Sequence, residues 1–182
     1  IRKDLGFTEV TFPTPTHYFS GKVIGTKLKH KHISNKVFGD PAVTVWDAIS
    51  DLPSVQSGEE ANYYKSAPLN KYQIERRKYS GETVSLHQAA NHSEKMLEVI
   101  KHAGSNINAL PVGLVSSGYS SCYSRLDKDD VSTTITVKFT SPSSSKCIHP
   151  LDDRALTPRE AARLQGFDDH FIFCGSKTDI AT

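Results

Sequence analysis

Between Leu156 and Gly166 the chain writes both ends of a helix into eleven residues, and nothing else in the sequence restricts the backbone as tightly. Thr157 is an N-cap residue, Pro158 sits where its missing N–H would be unpaired anyway, and Glu160 is placed to reach back to the cap nitrogen. Ala161, Ala162, Leu164 and Gln165 carry the helix to Gly166, a residue suited to termination. The small residues on one side of this helix let it lie close against other backbone.

Two weaker starts precede it. Thr44-Val45-Trp46-Asp47 sets a hydroxyl three positions before a carboxylate and runs into Ala48 and Ile49 before stopping at Asp51-Leu52-Pro53, which predicts a short capped helix. Asn91-His92-Ser93-Glu94 leads into Met96, Leu97, Val99, Ile100 and Ala103, predicting a helix of roughly 92–103 with Gly104 as its left-handed terminator. The clearest strand signal is Thr133 to Thr140: Ile135, Val137 and Phe139 alternate with Thr134, Thr136, Lys138 and Thr140. Two Ser-rich stretches flank it, 116–125 and 140–146, too polar to fold inward and rich in hydrogen-bond donors. Short strands, polar loops and a few short capped helices together predict an α+β fold, a small mixed domain.

Charge narrows the partners. The net value of +2 on 182 residues excludes a histone-like tail or an acidic disordered chain, and it conceals a local pattern, +5 over residues 1–36 and −4 over 37–70. Lys27, Lys29 and Lys31 would share one face of an extended strand and meet a row of phosphates. No run of about eighteen apolar residues occurs, and no leader-like start is seen, so the expected setting has no membrane: cytoplasmic and nucleoid-associated in a bacterium or archaeon, nuclear in a eukaryote. Cys122, Cys147 and Cys174 are an odd count without a Cys-x-x-Cys pair, which argues for reduced thiols and against a structural zinc site. Cys147 and His149 are two ligand types without two more, so no metal is expected.

The loops and the strand suggest how a duplex would be met. Thr134, Thr136 and Lys138 offer hydroxyl and ammonium donors of the kind that position a protein along phosphates, against the simpler alternative of an ordinary solvent face. Tyr119, Tyr123, Ser124 and Arg125 in the first loop, with Ser143, Ser144 and Lys146 in the second, are candidate DNA contacts. Arginine on guanine is the commonest specific pairing, which makes Arg125 the leading base reader, with a structural role as its competitor. Asp127, Asp129 and Asp130 would oppose phosphate and are expected to point away or to hold arginine.

The long stretch from His149 to Asp169 resembles the motif numbered nine in cytosine-5 DNA methyltransferases, without a gap. Val43 to Pro53 is similar to that family's Val-x-Asp-Ala-Ile-x-Asp-Leu-Pro segment, and Tyr123-Ser124-Arg125-Leu126 with Thr133 to Thr136 to its Arg-Leu and Thr-Ile-Thr stretch. The order of segments matches over roughly residues 1–182; one departure is Asp168, where the family often has proline.

In that family a cysteine thiolate adds to carbon 6 of a flipped cytosine, and a methyl group passes from S-adenosylmethionine to carbon 5. The Pro-Cys, Glu-Asn-Val and Phe-x-Gly-x-Gly segments that serve those steps do not occur in these 182 residues. The resemblance therefore implies the smaller, DNA-recognition part of a two-domain methyltransferase, with no catalytic or cofactor-binding residues of its own. Its partners would be double-stranded DNA and a catalytic domain, in the same polypeptide or in a separate subunit; a non-enzymatic DNA-binding module is the alternative. Residues 1–40 would connect from the catalytic domain, 41–148 would form the recognition domain, and 149–182 the spacer motif. Within that motif Arg154, Thr157, Arg159, Glu160, Arg163 and Gln165 would fix one domain relative to the other.

Overall fold

A computed structural model describes residues 16–19 and 39–180. The Lys27, Lys29, Lys31 row lies outside the described residues. The chain divides into two compact units, 1–42 and 43–182.

In the first unit, strand β1 (His17–Tyr18) runs parallel to β2 (Asp40–Pro41), with Asp40 N–H donating to Thr16 O at 3.0 Å and Ala42 N–H to Tyr18 O at 2.8 Å. Gly39 makes this approach possible: its φ is +90°, and a Cβ there would lie 2.0 Å from Thr16 O.

The second unit is built around α1 (Val45–Ile49) and α4 (Pro158–Leu164), which pack on one another. Both carry the capping box their sequences predict. In α1, Asp47 N–H donates to Thr44 Oγ1 at 3.1 Å and Thr44 N–H to Asp47 Oδ2 at 3.0 Å. Its next two orphan N–H groups, on Val45 and Trp46, reach the carbonyls of Asp130 and Lys128 at 2.9 Å each, which ties the helix start to a loop 85 residues on. The core that results joins Val45, Ala48, Ile49 and Leu52 to Val84, Leu126, Phe139, Leu156 and Ala161.

Two differences from the sequence expectations have physical causes. Thr133 to Thr140 forms no strand: Lys138 adopts φ +60°, residues 137–140 turn, and Val137 is 62% exposed, while Ile135 and Phe139 still point to the core. Alternation was present, but among the described residues no neighbouring strand offers a ladder. Helix α3 (Glu94–Lys101) is capped by Ser93 and ends at His102 in right-handed geometry, and Gly104 is not left-handed. Glycine is required there for close approach instead, since a Cβ would stand 2.5 Å from that of Ala109.

Helix α2 (Lys71–Arg77) has no apolar period to announce it. Its inward side is Tyr72, Gln73, Arg76 and Arg77, with Gln73 fully buried and donating to Asp47 O and Ser50 Oγ at the C-terminal end of α1. A fifth short helix, α5 (Lys177–Ile180), closes the described chain.

The N-cap of α4 is fully buried, and Thr157 Oγ1 also meets His87 Nδ1 at 2.9 Å. Thr157→Ala is therefore expected to cost at least about 1 kcal/mol, the worth of an N-cap, while Thr157→Ser retains most of it. A thermal melt in which the two variants behave alike would contradict this.

Candidate nucleic-acid interface

The two Ser-rich loops are pinned together at their bases. Ile107 N–H donates to Ser120 O at 3.0 Å, closing the first loop, and Tyr123 N–H donates to Pro142 O in the second at 2.7 Å. Tyr123 takes φ +51° to make that turn. Beneath them, Ile148 N–H bonds Ser124 O at 3.2 Å and Leu126 N–H bonds Ile148 O at 3.0 Å, with Cys122 and Cys147 buried between. The second loop curls on the Lys138 carbonyl, which accepts from Ser141 N–H at 2.8 Å and lies 2.8 Å from the Ser144 hydroxyl. Burial pushes the Cys147 thiol up to about 11, so its sulfur is a protonated donor to Ser141 O and no nucleophile at neutral pH.

Each candidate contact has a definite place on this surface. Tyr119 is 83% exposed, and Thr134, Thr136 and Lys138 are exposed with it. Tyr123, Ser144 and Lys146 are half-buried at the loop bases, and Ser143 is exposed beside Ser141. Ser124 is fully buried, its hydroxyl donating to Cys122 O at 3.1 Å. Arg125 is turned onto protein acceptors: Ile100 O at 3.0 Å, His149 O at 2.8 Å, Asp152 O at 2.7 Å and an Asp153 carboxylate oxygen at 2.7 Å. Of the nearby acids, Asp129 holds Lys128 at 2.7 Å, not an arginine.

Below the loops lies a frame of buried charge. Arg154, Arg159 and Arg163 are completely buried, and Glu160 is 1% exposed. Arg154 grips Glu160 through two hydrogen bonds of 2.7 Å, donates to Val55 O at 2.8 Å and to Asp152 at 2.9 Å. Burial alone would raise the Glu160 carboxyl; the Arg154 guanidinium beside it overrides that and holds it at about 2. The same Glu160 accepts the Thr157 N–H at 2.8 Å, so one carboxylate both caps α4 and neutralises Arg154.

Arg163 bridges two acids, with Asp169 at 2.5 and 2.6 Å and Asp51 at 3.0 Å, and donates to Ala48 O at 2.8 Å. Arg77 meets Asp51 from the other side at 3.0 Å, and Tyr64 O–H donates to Asp169 at 2.6 Å. Burial, helped by that bond, pushes the Tyr64 phenol up to about 12. Arg159 donates to Ser85 O and Oγ at 3.0 Å each and to the carbonyls of Asp168 and Phe171. Only Gln165, among the six motif residues singled out, is exposed.

Three histidines complete the frame, and sequence reading did not single out their role. His149 Nδ1 accepts from the N–H groups of Leu151 and Asp152 at 3.3 and 2.8 Å; His92 Nε2 accepts from Ala155 N–H at 3.1 Å; His87 spans Thr157 Oγ1 and Pro53 O. Burial lowers all three from the usual imidazole range, and the cationic Arg154 nearby adds to the effect. His87 and His92 act on segments 34 to 70 residues away, which no local pattern marks, whereas His149 acts within three residues of itself. Asp51, Asp152 and Asp169 were visible only as acids close to helix ends.

Residues 18–182 match the family model described as C-5 cytosine-specific DNA methylase. Among curated relatives, the type II methyltransferase M1.HphI of Haemophilus parahaemolyticus is 32% identical over 179 residues, covering 97% of this chain and 35% of the relative. The type II methyltransferase M.DdeI of Desulfomicrobium norvegicum is 30% identical over 158 residues, covering 81% and 38%. DNA (cytosine-5)-methyltransferase 1B of Oryza sativa subsp. japonica is 28% identical, covering 94% and 13%. The chain thus spans between about an eighth and two fifths of the length of these relatives. A solved E. coli prophage protein described as a DNA modification methyltransferase is similar in fold, with a TM-score of 0.50 at 24% identity, covering 74% of this chain and 39% of that one.

Proposed function

Because the chain belongs to the C-5 cytosine-specific DNA methylase family, we propose that it is the DNA-recognition part of a DNA (cytosine-5-)-methyltransferase, the methyl donor being S-adenosylmethionine. The observation that supports this is the pair of pinned loops. The first of them presents Tyr119 to solvent and the segment between them presents Thr134, Thr136 and Lys138, while Arg154 and Arg163 beneath are bound to carboxylates. A surface of hydroxyls, a phenol and the Lys138 ammonium is suited to phosphate positioning with base-edge contact in a duplex groove.

The cavity beside α4 does not fit the cofactor. The apolar cavity beside α4 is lined by Phe139, Pro158, Ala161, Ala162, Phe167 and Phe173, with Gln165 and Ile180 at its edge, and it has no carboxylate to hold ribose hydroxyls or an ammonium. S-adenosylmethionine and the nucleophile belong, on this reading, to a catalytic part outside this chain. Arg154, Thr157, Arg159, Glu160 and Arg163 then hold the loop platform rigid from within, and exposed Gln165 is the motif residue free to meet another domain. Arg125 is not carried forward as a base reader, since its donors are taken by Ile100, His149, Asp152 and Asp153.

Duplex binding by the intact protein, measured across a salt series, tests the proposal. Lys138→Ala should weaken binding to every sequence and flatten the plot of log K against log salt by about 0.9. Tyr119→Ala should change preference among sequences, and Arg125→Ala should lower the melting temperature without changing preference. The chain alone should incorporate no tritium into duplex DNA from labelled S-adenosylmethionine. Salt-independent binding, or methyl transfer by the chain alone, would overturn the proposal.

A further inference from the structure

The first loop carries a feature its polar composition hides. From Ala103 to Ser124 there is no charged side chain, and at the loop's end Val112 is completely exposed, with a relative accessibility of 107%. A four-residue turn holds it there: Leu114 N–H donates to Pro111 O at 3.2 Å, and Gly113 supplies the positive φ, +86°, that the third position of such a turn demands. Val112 is the second residue of that turn. The loop is closed behind it by the bond from Ile107 to Ser120.

We infer that Val112 is a specificity-determining contact, an aliphatic knob that meets the 5-methyl group of thymine in the major groove. This rests on the DNA-recognition reading above and adds to it a residue and a chemical group.

The chemistry favours a methyl group over other partners. Thymine is the base whose major-groove edge carries a methyl, and apolar side chains are its natural contacts. Valine is stiff at χ1, so it loses little freedom when covered. While Leu114 and Val115 beside it are half-buried, the loop residues that follow carry exposed hydroxyls, on Ser116, Ser117, Tyr119 and Ser120. Those suit base edges and phosphate oxygens, whereas a docked protein would need a broad apolar patch around the knob. An uncharged loop also passes between phosphates with no ion pairs to make. The contact should therefore add sequence preference without adding salt dependence, which separates it from Lys138.

Selection of the intact protein against a random-sequence duplex pool, followed by replacement of each thymine in the recovered site by deoxyuridine, tests this. We expect one position at which loss of the methyl group lowers affinity about fourfold, the worth of one buried methyl-sized group. Val112→Ser should abolish that discrimination and keep both the salt slope and the melting temperature of the parent. If no position depends on the methyl group, or Val112→Ser retains the dependence while salt-sensitive binding persists, the inference falls and the recognition reading stands. If the intact protein shows no salt-sensitive duplex binding, both fall together.

Discussion

Replacing Arg163 by alanine is expected to lower the stability of the 43–180 unit by about 3–5 kcal/mol, the cost of leaving partners of a buried ion pair uncompensated. Asp169 loses its hydrogen-bonded cation and Asp51 one of two. Asp51 and Asp169 are 0% and 4% exposed and stand 3.0 and 2.5 Å from the guanidinium. Arg77 still meets Asp51, and Tyr64 still donates to Asp169, but the carbonyl of Ala48 at the end of α1 is left without its donor. The helices α1, α2 and α4 share this one junction, so the loss should appear as a shifted urea midpoint with an unchanged slope.

A companion variant separates charge from packing. Arg163→Met combined with Asp51→Asn and Asp169→Asn should recover part of the loss, because the penalty comes from unpaired buried charge and not from the missing stem. An Arg163→Ala midpoint within about 1 kcal/mol of the parent would show that water or rearranged partners satisfy the two acids, and the rigid-frame account would fail.

Acid should loosen the same frame before it affects most carboxylates. Burial lowers His87, His92 and His149 below 6.5 in the fold, so the unfolded chain takes up protons first as pH drops. Their contribution is fully present above about 6.5 and is lost progressively below it, by up to about 1.4 kcal/mol per pH unit for each histidine. The cause is geometric. His149 Nδ1 and His92 Nε2 accept backbone N–H groups, so a proton on either nitrogen removes a hydrogen bond that holds residues 151–155. It also sets a cation near Arg154 and Arg125, only partly offset by Glu160, Asp152 and Asp153.

Glu160 behaves in the opposite sense, and later. Held at about 2, its carboxylate contributes fully above 4.5 and is lost as pH falls from there through about 2. Trp46 is the single tryptophan and its ring lies 6.4 Å from that of His149, so its emission reports the first step. Urea midpoints that agree at pH 7.5 and pH 5.5, or a pH dependence unchanged in His92→Gln and His149→Gln, would refute this order of events.

Legibility followed range. Three helix starts were readable because a cap satisfied within three residues is followed by apolar residues: Thr44 with Asp47, Ser93 with Met96, Thr157 with Glu160; Asn70 caps α2 in the same way, but no apolar period follows it. The likeness to the methyltransferase family was readable because motif order is linear, and residues 18–182 match that family. Helix α2 was not readable, since its inner face is polar and its apolar Ile74 points to solvent. The Thr133 to Thr140 strand was misread because alternation shows which side chains face inward, not whether another strand is there to pair.

The sequence by itself determined roughly where three of the helices begin, which family the chain resembles, and which stretches are too polar to be core. Only the tertiary structure decided which cations meet solvent. Arg163 and Asp51 are 112 residues apart, and Arg154 finds Val55 O across 99, so their pairing depends on how α1 and α4 pack. A cap is a hydrogen bond between neighbours and survives any packing, whereas a buried arginine is tolerable only where distant acceptors converge on it. For that reason Arg125, in one dimension the leading base reader, and Arg159 and Arg163, read there as fixing one domain against another, form an internal frame in three, leaving Tyr119, Lys138 and Val112 outward.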